Sequence, residues 1–247
     1  MCGRFISRST PQELAERFHV DEVVVPDGAE PDYNIAPRSK VLVVREREQT
    51  RVLSRIRWGL VPSWAKELAI GDRMINARAE TLAQKPAYRR AFAKRRCIIP
   101  ADGFYEWQVV GPPSTPKGRP KKQPVFIHAP DGTPFAFAGL WEVWKIPEEL
   151  LGSVADDGDG WLRTCAIVTT EANARLAPIH DRMPVVLPEA AWDPWLDRSV
   201  VDTDLLSGLL RPAPDAGFDV HPVSTRVNRA VHNDVGLIAP IDTPIDT

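Results

Sequence analysis

Twenty-four prolines scattered along 247 residues constrain this chain more than any other feature. Proline lacks an amide N–H and fixes φ, so it is excluded from helix interiors and central strands and settles in turns, first helical turns and strand edges. A chain punctuated this often is built from short strands and turns rather than long helices. At 27.5 kDa it is long enough to bury a sizeable core, and 43% apolar with 26% charged residues suits a soluble globular protein.

Local patterns place the elements. Thr10 is a natural N-cap for a helix over Pro11–Phe18, with proline in the first turn and Glu13 at the capping-box position. Val41–Val44 and Arg51–Leu53 read as a hairpin, and Arg55–Pro62 continues as a strand closed by a proline turn. A basic helix is expected over Pro86–Arg95. Strands are expected at Cys97–Pro100, Phe104–Val110, Val125–His128, Phe135–Val143, Leu162–Thr169 and Asp219–Pro222. Short helices are expected at Glu189–Leu196 and Asp204–Leu210. Gly111–Lys122, rich in proline, glycine and lysine, and the acidic Pro147–Gly160 read as solvent-exposed insertions within one domain spanning 1–247.

The formal net charge of -2 gives no global attraction to nucleic acid, so any DNA affinity must come from a local basic face. No apolar run approaches the roughly 20 residues that span a bilayer, and no signal-peptide core is present, which points to an intracellular, cytoplasmic protein. Cys2, Cys97 and Cys165 have no metal-type spacing, and no metal or organic cofactor is indicated. Cys97 and Cys165 lie in strand-like apolar runs and read as buried, inert thiols.

Cys2 is different. Removal of Met1 would leave a free α-amino group and a thiol on adjacent carbons. Ordinary values, about 7.7–8.0 for the amine and about 8.5 for the thiol, would make both reactive near neutrality. Such a 1,2-aminothiol captures an aldehyde: the amine forms a Schiff base, the thiolate adds to the imine carbon, and a thiazolidine closes.

Three further segments offer matching chemistry. In Ile75–Thr81, an extended chain projects Asn76, Arg78 and Glu80 from one face, where Asn76 can orient a terminal amine and Arg78 can fork onto a phosphate. Glu106 stands alone between Tyr105 and Trp107, where burial raises a carboxyl pKa into the range useful for proton transfer. His180 lies in a proline-bounded loop with a near-neutral unperturbed pKa.

Six ordered blocks extend these hints. They are Met1-Cys2-Gly3-Arg4-Phe5, Tyr33-Asn34-Ile35-Ala36-Pro37, Arg57-Trp58-Gly59-Leu60-Val61-Pro62-Ser63-Trp64, Asn76-Ala77-Arg78-Ala79-Glu80-Thr81, Ala101-Asp102-Gly103-Phe104-Tyr105-Glu106-Trp107 and His180-Asp181-Arg182-Met183-Pro184. Together they resemble the SRAP (SOS response-associated peptidase) family of abasic-site processing proteins, and Val227-Asn228 also looks family-like. The resemblance implies that Cys2 crosslinks to the open-chain aldehyde of an abasic site in single-stranded DNA, including at junctions with duplex. Asn76 would orient the terminal cysteine, Glu106 would assist proton transfers, and His180 would serve the deoxyribose oxygen. Arg4 and Arg78 would grip phosphates, with Asn34, Pro37, Trp58, Trp64 and Trp107 as further DNA contacts. The expected fold is one α+β domain, a strongly bent antiparallel sheet system approaching a barrel with short helices at its rim, acting as a monomer. Two other activities stay open: an N-terminal-cysteine hydrolase or peptidase, and a non-covalent single-strand binding module.

Overall fold

The capping signals at the first helix work as read. In the computed structural model, which describes residues 2–25, 30–113, 120–154 and 158–242, Thr10 accepts from Glu13 N–H while Glu13 Oε2 accepts from Thr10 N–H at 2.7 Å. Chain order runs β1 (Phe5–Ser7), α1 (Pro11–Arg17), β2 (Glu22–Val24), β3 (Asp32–Ile35), β4 (Lys40–Arg47), β5 (Thr50–Trp58), β6 (Asn76–Arg78), α2 (Arg89–Lys94) and β7 (Arg96–Ala101). It continues through β8 (Gly103–Pro113), β9 (Pro120–His128), β10 (Phe135–Lys145), β11 (Trp161–Glu171), β12 (Arg182–Pro184), α3 (Trp192–Leu196), α4 (Thr203–Gly208) and β13 (Asp219–Pro222).

The strands form two sheets in a mixed α+β fold. One sheet runs β13-β9-β8-β1-β3, and the other runs β12-β11-β10-β7-β4-β5-β2. Within the second, β5 returns to pair with β11 in parallel, Thr164 opposite Arg57 and Cys165 opposite Trp58, which closes β4, β5, β7, β10 and β11 into a five-strand barrel. The expected bent antiparallel system is therefore present, with parallel pairs β2–β5, β5–β11 and β6–β11 added. The β4–β5 hairpin turns on two left-handed residues, Glu48 and Gln49 at φ 52° and 67°, the conformation that matches strand twist.

The barrel strands are buried on both faces. Val44, Leu53, Ile98 and Leu140 meet Leu14, Phe92, Trp195 and Leu206 from the helices. Val43, Ile56, Cys97 and Ile167 meet Cys2, Phe5, Phe104 and Ile127 from the other sheet. This double burial is why the strands read as almost continuous apolar runs.

Several boundaries differ from expectation. The strand begun at Arg55 ends at Trp58, because Gly59 adopts φ 124° and a Cβ there would stand 2.8 Å from Gly71 O. The helix expected from Pro86 begins only at Arg89. Gly111–Pro113 and Pro120–Lys122, expected in an insertion, extend the β8–β9 ladder through register shifts beyond Val109. Residues 114–119 and 155–157 lie outside the described residues.

Arg96 ties the helices to the barrel. Its buried guanidinium donates to Trp195 O at 2.6 Å, Phe92 O at 2.8 Å, Ala93 O at 2.7 Å and Val200 O at 3.0 Å, and also to Asp197 O. Carbonyls at the ends of α2 and α3 thus find their donors in one side chain. Arg96→Met should leave several buried carbonyls unpaired and cost about 3 kcal/mol or more. Thermal unfolding should register a Tm lowered by roughly 6–12 °C, and an unchanged Tm would show that the helices dock without it.

Candidate active site

β1 brings the start of the chain into the core. Its antiparallel pairing with β8 sets Phe5 opposite Phe104 and Ile6 opposite Gly103, and Tyr105 N–H donates to Arg4 O at 2.9 Å. The same register carried toward the N-terminus sets Gly3 alongside Glu106. The far end of β1 is pinned as well: Arg8 N–H and Ser9 N–H donate to Asp102 Oδ2 at 2.7 and 3.0 Å, and the Ser9 hydroxyl donates to Oδ1 at 2.5 Å. Cys2 ends up fully buried in the cluster that contains Phe5, Trp58 and Ile167.

Asn76 reaches the same point from the other sheet. β6 runs parallel to β11 with Asn76 opposite Ile167, and Asn76 Nδ2 donates to Cys2 O at 2.8 Å. Asn76 Oδ1 is buried with no hydrogen-bond partner among the described residues. The Tyr88 hydroxyl donates to Asn76 O at 3.1 Å and holds the strand from behind. Beyond Arg78 the chain leaves strand geometry for a tight turn over Ala79–Thr81, so the expected single face of Asn76, Arg78 and Glu80 does not form. Glu80 instead pairs with Arg182 through both oxygens, at 2.7 and 3.0 Å, while Arg182 also donates to Thr169 O at 2.6 Å. That fork joins the His180 loop to the Asn76 strand. No local pattern around Arg182 signals this pairing, because its partner lies far away along the chain.

Burial governs the electrostatics here. It pushes the Glu106 carboxyl up to about 7, against the opposing pull of the positive chain terminus and Lys122. Burial and then the Glu106 charge push the Cys2 thiol well above its ordinary value, which corrects the expectation of a freely ionising thiol. The His180 imidazole is lowered by burial and by the same chain terminus, so it is neutral at pH 7. His180 Nδ1 accepts from Arg182 N–H at 3.0 Å and lies 2.7 Å from Asp181 Oδ1.

The expected DNA contacts divide. Trp64 is 59% exposed, Arg78 is exposed and Pro37 is half-buried. Trp58 is completely buried, its indole donating to Ile75 O at 2.8 Å, so it has no face for a base. Asn34 is 3% exposed and spends its amide on backbone carbonyls, so it is not a surface contact. Arg4 directs Nη1 to Asn34 Oδ1 at 2.6 Å and Val227 O at 2.9 Å. Half-buried Trp107 donates to Asn228 Oδ1 at 2.7 Å. Cys97 and Cys165 are buried as expected.

The family model for SOS response associated peptidase (SRAP) matches residues 1–230. The chain belongs to the SRAP family. Its relatives include the abasic site processing protein YoqW of Bacillus subtilis, 39% identical over 96% of this chain and 99% of that protein. YedK of Escherichia coli, also named an abasic site processing protein, is 34% identical over 98% and 100%. HMCES of Gallus gallus bears the same description and is 33% identical over 86% of this chain and 67% of its own length. A crystal structure of a protein from Bacteroides thetaiotaomicron shares the fold, with a TM-score of 0.81 at 22% identity over 97% of this chain and 100% of that one.

The raised Glu106 pKa has a cost in this SRAP protein. Stability tied to its protonated form is fully present below the ordinary value of 4.5 and is lost as pH rises through about 7. Glu106→Gln should therefore match wild type near pH 4 and exceed it by about 3 kcal/mol above pH 7. Urea unfolding at the two pH values checks this, and a difference independent of pH would mean that Glu106 is ionised at no cost.

Proposed function

We propose that the protein processes abasic sites in single-stranded DNA by covalent capture. After loss of Met1, the amine and thiol of Cys2 would close a thiazolidine on C1′ of the open-chain deoxyribose. The observation that carries this reading is a cysteine at the chain terminus, buried beside a carboxyl of pKa about 7 and held through its carbonyl by Asn76. The names of the relatives support the lesion. The burial of Cys2 supports a single strand, since a sugar can reach it only if its nucleotide can leave a base-paired stack.

The chemistry follows from the protonation states. The His180 imidazole takes the proton of the C1′ hydroxyl and returns it to the ring oxygen as the hemiacetal opens, freeing the aldehyde. The Cys2 amine adds to C1′ to give a carbinolamine. Neutral Glu106 protonates the departing hydroxyl, water leaves, and an iminium remains. The carboxylate so formed then accepts the thiol proton while sulfur bonds to C1′, which regenerates the acid and leaves a secondary ring amine. One aldehyde and one aminothiol become one thiazolidine and one water. A carboxyl poised near neutrality can both give and take in one cycle. Exposed Arg78 would hold the flanking phosphate, and Trp64 offers a stacking surface. Amide hydrolysis fits less well, because the Asn76 Nδ2 donor that could face an oxyanion is already engaged by Cys2 O.

An untagged, Met1-processed protein mixed with a single-stranded oligonucleotide bearing one abasic site should give a heat-stable shifted band on a denaturing gel. Cys2→Ala and an N-terminally blocked protein should give none, and Glu106→Gln should slow its appearance about a hundredfold or more. A band from the blocked protein would sink the thiazolidine.

A further inference from the structure

Arg4 has partners that a phosphate-gripping role does not explain. Its Nη1 donates to Asn34 Oδ1 and Val227 O, at 2.6 and 2.9 Å. Asn34 Nδ2 in turn donates to Arg229 O at 3.1 Å and His232 O at 2.8 Å. A guanidinium and a buried amide, from strands near the start of the chain, are thus spent on the backbone of one segment some 200 residues later.

The same segment holds the strand that carries Glu106. Trp107 donates to Asn228 Oδ1 at 2.7 Å, the Tyr105 hydroxyl donates to Tyr33 O at 2.9 Å, and Tyr33 N–H donates to Asn233 Oδ1 at 2.7 Å. Side chains alternate along a strand, so Tyr105 and Trp107 leave β8 on the face opposite to Glu106. Their attachments therefore lie behind the site. Val227 and Leu237 bury their side chains against Ile6 and Tyr105, which packs the segment onto β1 and β8 together.

We propose that Arg4 and Asn34 are positioning residues. Through them the segment from Val227 to Asn233 clamps the Cys2 strand to the Glu106 strand, and so sets the gap in which C1′ must meet amine, thiol and carboxyl. The clamp rests on the covalent-capture reading above. A displacement of about 1 Å in such a constellation costs on the order of a hundredfold in rate without touching affinity.

The test separates affinity from rate. Affinity is read by anisotropy with single-stranded DNA carrying a tetrahydrofuran abasic analogue, which has no aldehyde. Rate is read by single-turnover crosslinking at saturating abasic DNA. Arg4→Lys, which keeps the charge and loses the fork, and Asn34→Ala should crosslink at least tenfold more slowly with Kd within twofold of wild type. Asn228→Ala removes one exposed acceptor and should slow crosslinking about threefold at unchanged Kd; it carries the test if the buried variants do not fold. A weakened Kd, with or without a slower rate, overturns the clamp, since it makes Arg4 a DNA ligand. An unchanged rate overturns it equally. If wild type itself forms no crosslink, the functional reading fails instead. Hydrogen exchange at Tyr105 N–H, which bridges β8 to Arg4 O, then decides the clamp: faster exchange in Asn34→Ala supports it and unchanged exchange overturns it.

Discussion

The candidate site depends on β1 lying between β8 and β3 as an interior strand. Three residues of ladder are enough because both ends are secured. Asp102 gathers Arg8 and Ser9 on one side, and Asn76 and Arg4 secure the chain around Cys2 on the other. A chain start is ordinarily the least ordered part of a domain. Here Cys2 is fully buried, so its side chain has few conformations to lose.

Burial also sets the electrostatics, and it raises the pKa of both the Cys2 thiol and the Glu106 carboxyl. It withholds the thiolate of Cys2, and it raises Glu106 until the carboxyl still holds part of its proton at neutral pH. The two effects are coupled, because the Glu106 charge itself raises the thiol. Ionising one discourages ionising the other, so in the proposed ring closure the thiol proton would pass to Glu106 rather than to solvent.

Much of this architecture was legible in the chain. The capping box at Thr10, the hairpin of β4 and β5 and the strand Asp219–Pro222 follow from local rules that no tertiary contact overrides. Cys2, Asn76, Glu106 and His180 stood out by residue type, and the coordinates bring Asn76 and Glu106 to Cys2. What misled was the assumption that an aromatic or cationic residue in a family-like block faces the ligand. Trp58 closes the barrel seam opposite Cys165, Asn34 is buried against backbone carbonyls, and Arg4 donates to Asn34 Oδ1 and Val227 O. Residue type says what a side chain can do, while burial decides to whom it does it.

The sequence by itself determined the reactive group, the elements and their approximate order, because an aminothiol, a cap and an apolar period are properties of neighbouring atoms. Only the tertiary structure decided the protonation states and the partners. A carboxyl pKa depends on how much water surrounds it, and Glu106 loses that water to strands from distant parts of the chain. The Arg4–Val227 bond, the Glu80–Arg182 fork and the barrel-closing pair of Trp58 with Cys165 join residues more than a hundred positions apart. No local pattern encodes such a pairing, since it exists only once two sheets have packed and left one donor facing one acceptor.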